Sequence, residues 1–246
     1  VLWTLEIIVN LLKERFNLWV SDATVRIHLH HLGLSCQKPC YQALEQDQER
    51  VKNFVNKEFK DIQKLAQELG ADIAFEDESW VQGNTRSGRT WGLVGQSPPV
   101  KVCDDRGGFH VLSMVTATGE LMFEVTTEKL VSEVFTRFLE HVLSGRTRPL
   151  IVVTDNGSFH TSNAVKKFIA DHQQKIRLFF FPPHSPNLNP DEQVWNEIKN
   201  RQLEKQPIKN RVDFEHRVCS ALVKLKAFKE RIISFFKLPD TQYASL

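Results

Sequence analysis

The stretch "LIVVTD", residues 150–155, sets four consecutive apolar residues directly before a threonine and an aspartate. A strand apolar on both of its alternating faces has no solvent side, so it reads as a central strand between two layers, parallel to a neighbour. Asn156 and Gly157 end it with turn chemistry. On either side, "SEVFTRFLEHVL" (132–143) and "SNAVKKFIADHQQ" (162–174) carry helical spacing. Upstream, "DIAFEDESWVQ" (72–82), "TWGLVG" (90–95) and "GFHVLSMVTATGELMFEVTT" (108–127) read as strands with Gly-containing turns. Three or four strands followed by helix, strand, helix and strand make an α/β domain. In open sheets of this class the chemistry lies beyond the carboxyl ends of the strands, where Asp155 stands.

Composition sets the bounds around that domain. The chain has 246 residues, 41% hydrophobic and 25% charged, enough for a sizeable core in one large domain or two smaller ones. Its longest apolar runs fall far short of the roughly 18 residues of a membrane span, and no signal segment opens it, so a cytoplasmic protein is expected. Cys36, Cys40, Cys103 and Cys219 are too few and too irregular for a disulfide framework. The chain begins at Val1 inside helical sequence without an initiator Met, and further sequence upstream is expected. Net charge is only +2, but Asn196–Lys237 holds eleven basic residues against five acidic, Lys199 and Arg201 among them. Such a run is either a solvated helix face or a surface that meets nucleic-acid phosphates.

The first third is helical. "WTLEIIVNLLKERF" (3–16) and "SDATVRIHLHHLG" (21–33) have apolar residues at helical spacing, with Ser21 as N-cap and Gly33 as stop. Joined by "NLWV", they form a helix-turn-helix candidate whose second helix would offer Thr24, Arg26, His28, His30 and His31 to DNA, unless the pair is plain helical packing. His28, His30, His31, Cys36 and Cys40 lack the spacing of a zinc finger. The charged stretch from Gln42 to Leu69, with Val51, Phe54, Val55, Phe59, Ile62 and Leu65 at helical spacing, reads as a connecting helix ending at Gly70. The expected organisation is thus a DNA-binding domain over 1–42, a helical linker over 43–70 and a catalytic domain over 71–246 that ends in basic helices.

Three acidic residues stand out by context. Asp77 shares a strand face with Ile73 and Phe75, Asp155 ends "LIVVTD", and Glu192 lies in "NPDEQVW". Each has a plain alternative: a solvated strand end, a turn former, and the third residue of a helix capped by Asn189 with Pro190 first. Asp191 is likewise explained by the dipole of that helix. Taken together, carboxylates from a strand, a strand end and a helix start can converge at one sheet edge, where all-oxygen ligands suit Mg²⁺ or Mn²⁺. Two such ions about 4 Å apart support in-line attack on phosphorus without a nucleophilic side chain. No Gly-rich phosphate loop, Ser nucleophile elbow or His-Glu-x-x-His is present.

"FEDESW", "TWGLVG", "VVTDNGSFH" and, above all, "SPNLNPDEQVW" (185–195) together resemble the DDE transposases of the mariner superfamily, in particular its bacterial insertion-sequence branch. The resemblance covers most of the chain. It implies an RNase H-like, retroviral-integrase-type catalytic domain behind helix-turn-helix modules, with Asp77, Asp155 and Glu192 as the metal-binding triad for two Mg²⁺ or Mn²⁺ ions. It implies cut-and-paste transposition: nicking at the ends of a mobile element, then joining of the freed 3′-hydroxyls to target DNA, usually at TA. The N-terminal helices resemble the second of that group's two DNA-binding modules. Expected partners are the terminal repeats and target DNA, with two copies of the chain acting as a homodimer on DNA, near the nucleoid in a bacterial host. Two other readings are another RNase H-like endonuclease, which would not carry the "SPNLNPDEQVW" block, and a retired transposase serving as a DNA-binding regulator, against which the intact triad stands.

Overall fold

The computed structural model describes residues 2–37, 45–82, 94–96, 107–199 and 210–245. The expected strand "TWGLVG" and Arg201 fall outside these, apart from Val94 and Gly95, which lie in a turn. The chain forms two compact units, Val1–Gln42 and Ala43–Leu246.

The first unit pairs α1 (Leu5–Phe16) with α2 (Asp22–His31). The hydroxyl of Thr4 accepts the Ile7 N–H and that of Ser21 the Thr24 N–H, satisfying donors that a helix start leaves free. Asn17 closes α1 in the left-handed conformation.

In the second unit a five-stranded sheet runs in the order β3-β2-β1-β4-β5. Its strands are β1 (Asp72–Gln82), β2 (Gly108–Thr116), β3 (Leu121–Thr126), β4 (Leu150–Thr154) and β5 (Ile176–Phe180). β1 pairs antiparallel with β2 and parallel with β4, and β4 is also parallel to β5. β4 therefore has a parallel neighbour on each side, and all five of its residues are buried. Period-two alternation sorts the side chains into two cores. Phe75, Val111, Val115, Ile151 and Val153 face one layer; Ala74, Leu112, Met114, Leu150 and Val152 face the other. The second layer is built by α5 (Ser132–Ser144) and α6 (Asn163–Asp171). The first is built by α7 (Glu192–Glu197), α8 (Arg211–Ala227) and α9 (Lys229–Phe235).

The segment expected as a linker belongs to that first layer. α3 (Gln48–Asn53) runs through a π turn, Phe54–Glu58, into α4 (Phe59–Leu69). The wider π spacing turns Phe54 and Phe59 to the same side, with ring centroids 6.2 Å apart. Phe54, Phe59, Ile62 and Ala66 are all buried in the core. An apolar stripe this complete is a packing face, so the helix is part of the catalytic unit.

Candidate active site

β1 and β4 carry their acidic residues to one end of the sheet, and the pleat of β1 divides them. Asp77 points to the layer of Phe75 and sits opposite Ser113 on β2. Glu76 and Glu78 point the other way.

On the Asp77 side, the block 185–195 folds against the sheet. The Asn189 side chain donates to the Glu76 carbonyl (2.9 Å) and accepts the Asp191 N–H (3.0 Å). The regular turns of α7 begin at Glu192, after a tighter turn over Asn189–Asp191. Trp195 Nε1 donates to Asp77 Oδ2 at 2.7 Å, fixing that carboxylate. Burial, then the neighbouring Glu192, pushes the Asp77 carboxyl well above its usual range. Burial also raises Glu192, an effect opposed by Lys199. The charge of Glu192 thus bears unfavourably on Asp77, the situation a divalent cation relieves.

Asp191 differs from its expected surroundings. It is fully buried, accepts the Ser113 hydroxyl at 2.5 Å through Oδ2, and leaves Oδ1 without a hydrogen-bond partner. Burial and Asp77 raise its carboxyl strongly. Asp191 does stand at the start of α7, as the dipole reading has it, but it is enclosed against β2.

Asp155 ends β4 with a side chain 59% exposed. Its Oδ1 accepts the Gly157 N–H (2.7 Å) and lies 2.8 Å from His160 Nδ1. The His160 hydrogen bond holds its carboxyl below the ordinary value. Electrostatically Asp155 is a neighbour of Glu78 and His160, whereas Asp77 neighbours Glu192, Glu76 and Glu78. Among the described residues, a group of His and Glu atoms within 4.8 Å of one another belongs to Glu76, Glu78 and His160. Sequence reading passed over these three. The signal was the Glu-Asp-Glu alternation of 76–78, which sends two carboxylates to the face opposite Asp77.

Lys199, expected on DNA, donates from Nζ to Ser79 Oγ at 2.6 Å and lies near Glu192. Arg26, His28 and His30 are exposed on α2, while the half-buried Thr24 uses its hydroxyl on Ser21 at 2.9 Å. Arg217 and Arg231 are tied to Asp213 and Glu197, but Lys224, Lys226, Lys229 and Lys237 are exposed. Among the described residues no helix is long and apolar enough to cross a membrane.

The sheet order β3-β2-β1-β4-β5, with β1 antiparallel to β2 and parallel to β4 and with helices on both faces, defines a class, the RNase H-like fold. Residues 72–215 match the DDE superfamily endonuclease family, and the chain belongs to it. Residues 1–58 match a winged helix-turn helix family. The fold is similar to the Mos1 mariner paired end complex with Mn (TM-score 0.63, 12% identity, 98% of this chain and 78% of that one). It is also similar to the Mos1 paired end complex with Mg (0.61, 15%, 99% and 75%) and to the Mos1 Strand Transfer Complex (0.58, 14%, 99% and 79%). No curated protein sequence matches the chain.

The Trp195 hydrogen bond provides a test of how Asp77 is held. Trp195→Phe keeps the apolar packing and removes only the donor, so nicking is expected to fall about 10–100-fold, with more Mg²⁺ needed for half-maximal rate. An unchanged Mg²⁺ dependence would mean that Asp77 is positioned by β1 alone.

Proposed function

We propose that this chain is a DDE transposase, which nicks DNA at the ends of a mobile element and joins the freed 3′-hydroxyls to target DNA. The observation that carries this reading is the Trp195–Asp77 hydrogen bond of 2.7 Å, which sets the start of α7 with Glu192 against the carboxylate of β1, within a chain of the DDE endonuclease family. Asp77, Glu192 and Asp155 would hold Mg²⁺ or Mn²⁺, two ions in the full site. The donor set fits: it is all oxygen, and the Asp77 carboxylate, raised by burial and by the charge of Glu192, has no cation beside it among the described residues. When bound, the ions supply an activated water or 3′-hydroxyl and neutralise charge on the phosphate. The chain's own residues do the positioning. Trp195 orients Asp77, Lys199 sits beside Glu192, and His160 and Gly157 hold Asp155 at the strand end.

A solved paired-end complex of Mos1 transposase contains the left transposon end, and the same kind of partner is proposed here: double-stranded DNA, bound by a homodimer and read by α2. Arg26, His28 and His30 are the exposed side chains available for that reading, with Thr24 held back by its cap. Arg26→Ala is expected to weaken binding to the element end by about 1–3 kcal/mol and to narrow its margin over random duplex. Equal affinity and equal preference in a gel-shift titration would leave α2 as a packing helix only.

The reading itself is tested by incubating the purified chain with a duplex carrying the inverted repeat that flanks its coding sequence. Strand-specific nicking with Mg²⁺, abolished by EDTA, is expected. Binding without nicking in Mg²⁺ or Mn²⁺ would point to the DNA-binding regulator instead.

A further inference from the structure

On the face of β1 opposite Asp77, Glu76 and His160 are both fully buried and Glu78 is 22% exposed. His160 Nε2 lies 3.3 Å from Glu76 Oε2 and 3.8 Å from Glu78 Oε2, ion-pair distances without hydrogen-bond geometry. Three atoms here are buried with no hydrogen-bond partner: Glu76 Oε1, Glu78 Oε2 and His160 Nε2. The remaining contacts are spoken for. Thr154 Oγ1 donates to Glu76 Oε2 at 2.5 Å, and His160 Nδ1 faces Asp155 Oδ1 at 2.8 Å. The ring turns Nδ1 toward the Asp155 carboxylate and Nε2 toward the two glutamates. Burial opposes its charge, but the surrounding carboxylates favour the protonated ring, so a metal at Nε2 takes the place of a proton there. A carboxylate behind a histidine in this way is how metal-ligating imidazoles are oriented.

We propose that Glu76, Glu78 and His160 form a second metal site, which takes one transition dication of the Zn²⁺ type and rigidifies Asp155 through the His160 ring. One imidazole nitrogen and two carboxylates suit Zn²⁺, with the fourth position left to water. Mg²⁺ fits poorly, because it prefers oxygen ligands and gives up its water shell reluctantly. This pocket is closed on the ring side by Phe135, whose centroid is 4.5 Å from that of His160, and by Phe159 at 4.0 Å. The site is separate from the Asp77–Glu192 pair because the pleat places them on opposite faces. It rests on the functional reading only where Asp155 is concerned.

The experiment uses the whole chain carrying Asp77→Asn and Glu192→Gln, so that metal at the proposed catalytic carboxylates does not contribute. Zn²⁺ is titrated calorimetrically in excess Mg²⁺, and retained zinc is counted by mass spectrometry after dialysis. One Zn²⁺ per chain is expected, with affinity at least about 100-fold lower after His160→Gln or Glu78→Gln, and about 10–100-fold lower after Asp155→Asn. Glu78 lies at the rim, and its variant keeps the test valid if the His160 variant does not fold. Nitrogen-15 spectra of the unsubstituted chain with Zn²⁺ provide a further measurement: Nδ1 protonated and Nε2 metal-shifted is expected. No bound zinc, zinc unaffected by both ligand variants (as binding by the N-terminal histidines would give), or a His160 ring protonated on both nitrogens in the presence of Zn²⁺ would overturn the proposal. Mg²⁺-dependent nicking by the unsubstituted chain is read separately, so either proposal can fail alone.

Discussion

Phe75→Ala is expected to cost about 3–5 kcal/mol, the range for removing a buried aromatic ring. The ring is 1% exposed and sits where three parts of the chain meet. It contacts Phe59 of α4 at 5.8 Å between centroids, Phe181 just beyond β5 at 6.1 Å, and Phe236 after α9 at 5.7 Å. Each such pair adds about 0.5–1.5 kcal/mol beyond its buried area. Collapse into the void is restricted, because β1 is pinned on both sides, Phe75 opposite Val115 on β2 and Val153 on β4. The loss is a large share of the roughly 5–15 kcal/mol that holds a domain together. In urea, with a slope of about 1–3 kcal/mol/M, the midpoint of the second unit is expected to fall by more than about 1 M. Val212→Ala, at a residue 75% exposed on α8, is the control and is expected to change stability by less than about 0.5 kcal/mol. Similar midpoints for the two variants would show that the helices of this layer are not locked to the sheet through Phe75.

The sheet was legible because its strands are short patterns that declare their own burial. "LIVVTD" has no polar face, and β4 lies between two parallel neighbours. Alternation in "DIAFEDE" correctly grouped Asp77 with Phe75. What that alternation does not tell is which distant groups meet each face. Ser113 comes to Asp191 across 78 residues of sequence, and Lys199 to Ser79 across 120. Neither pairing has a local signal. The helix over 48–69 was misplaced for a related reason: its surface charge suggests a connector, while Phe54 and Phe59 reveal a packing face only once the π turn brings them together. His160 was in view within "VVTDNGSFH", but its partners Glu76 and Glu78 belong to a different strand. Only the turn after Asp155 carries its ring back over β1.

Glu192→Gln is expected to reduce Mg²⁺-dependent cleavage below detection while leaving DNA affinity within a few-fold, and Asp155→Asn is expected to do the same. Each removes a carboxylate charge from the proposed metal-binding set without touching α2. Their neighbour Asp191 provides the contrast. Its side chain accepts a hydrogen bond from Ser113, and the side-chain oxygen of asparagine accepts that bond equally well. Its enclosed position against β2 also leaves it no open side from which to approach DNA, whereas Glu192 is only partly buried beside Asp77 and Lys199. Asp191→Asn is therefore expected to fold, to keep its melting temperature within a few degrees, and to lose no more than about 10-fold in nicking, the lower end for a group that supports a ligand. The three variants are compared in one nicking assay, with thermal melts and gel shifts run alongside. If Asp191→Asn abolishes nicking and Glu192→Gln spares it, the buried carboxylate with its unpartnered Oδ1 is the metal ligand, and Glu192 serves the electrostatics of Lys199 instead.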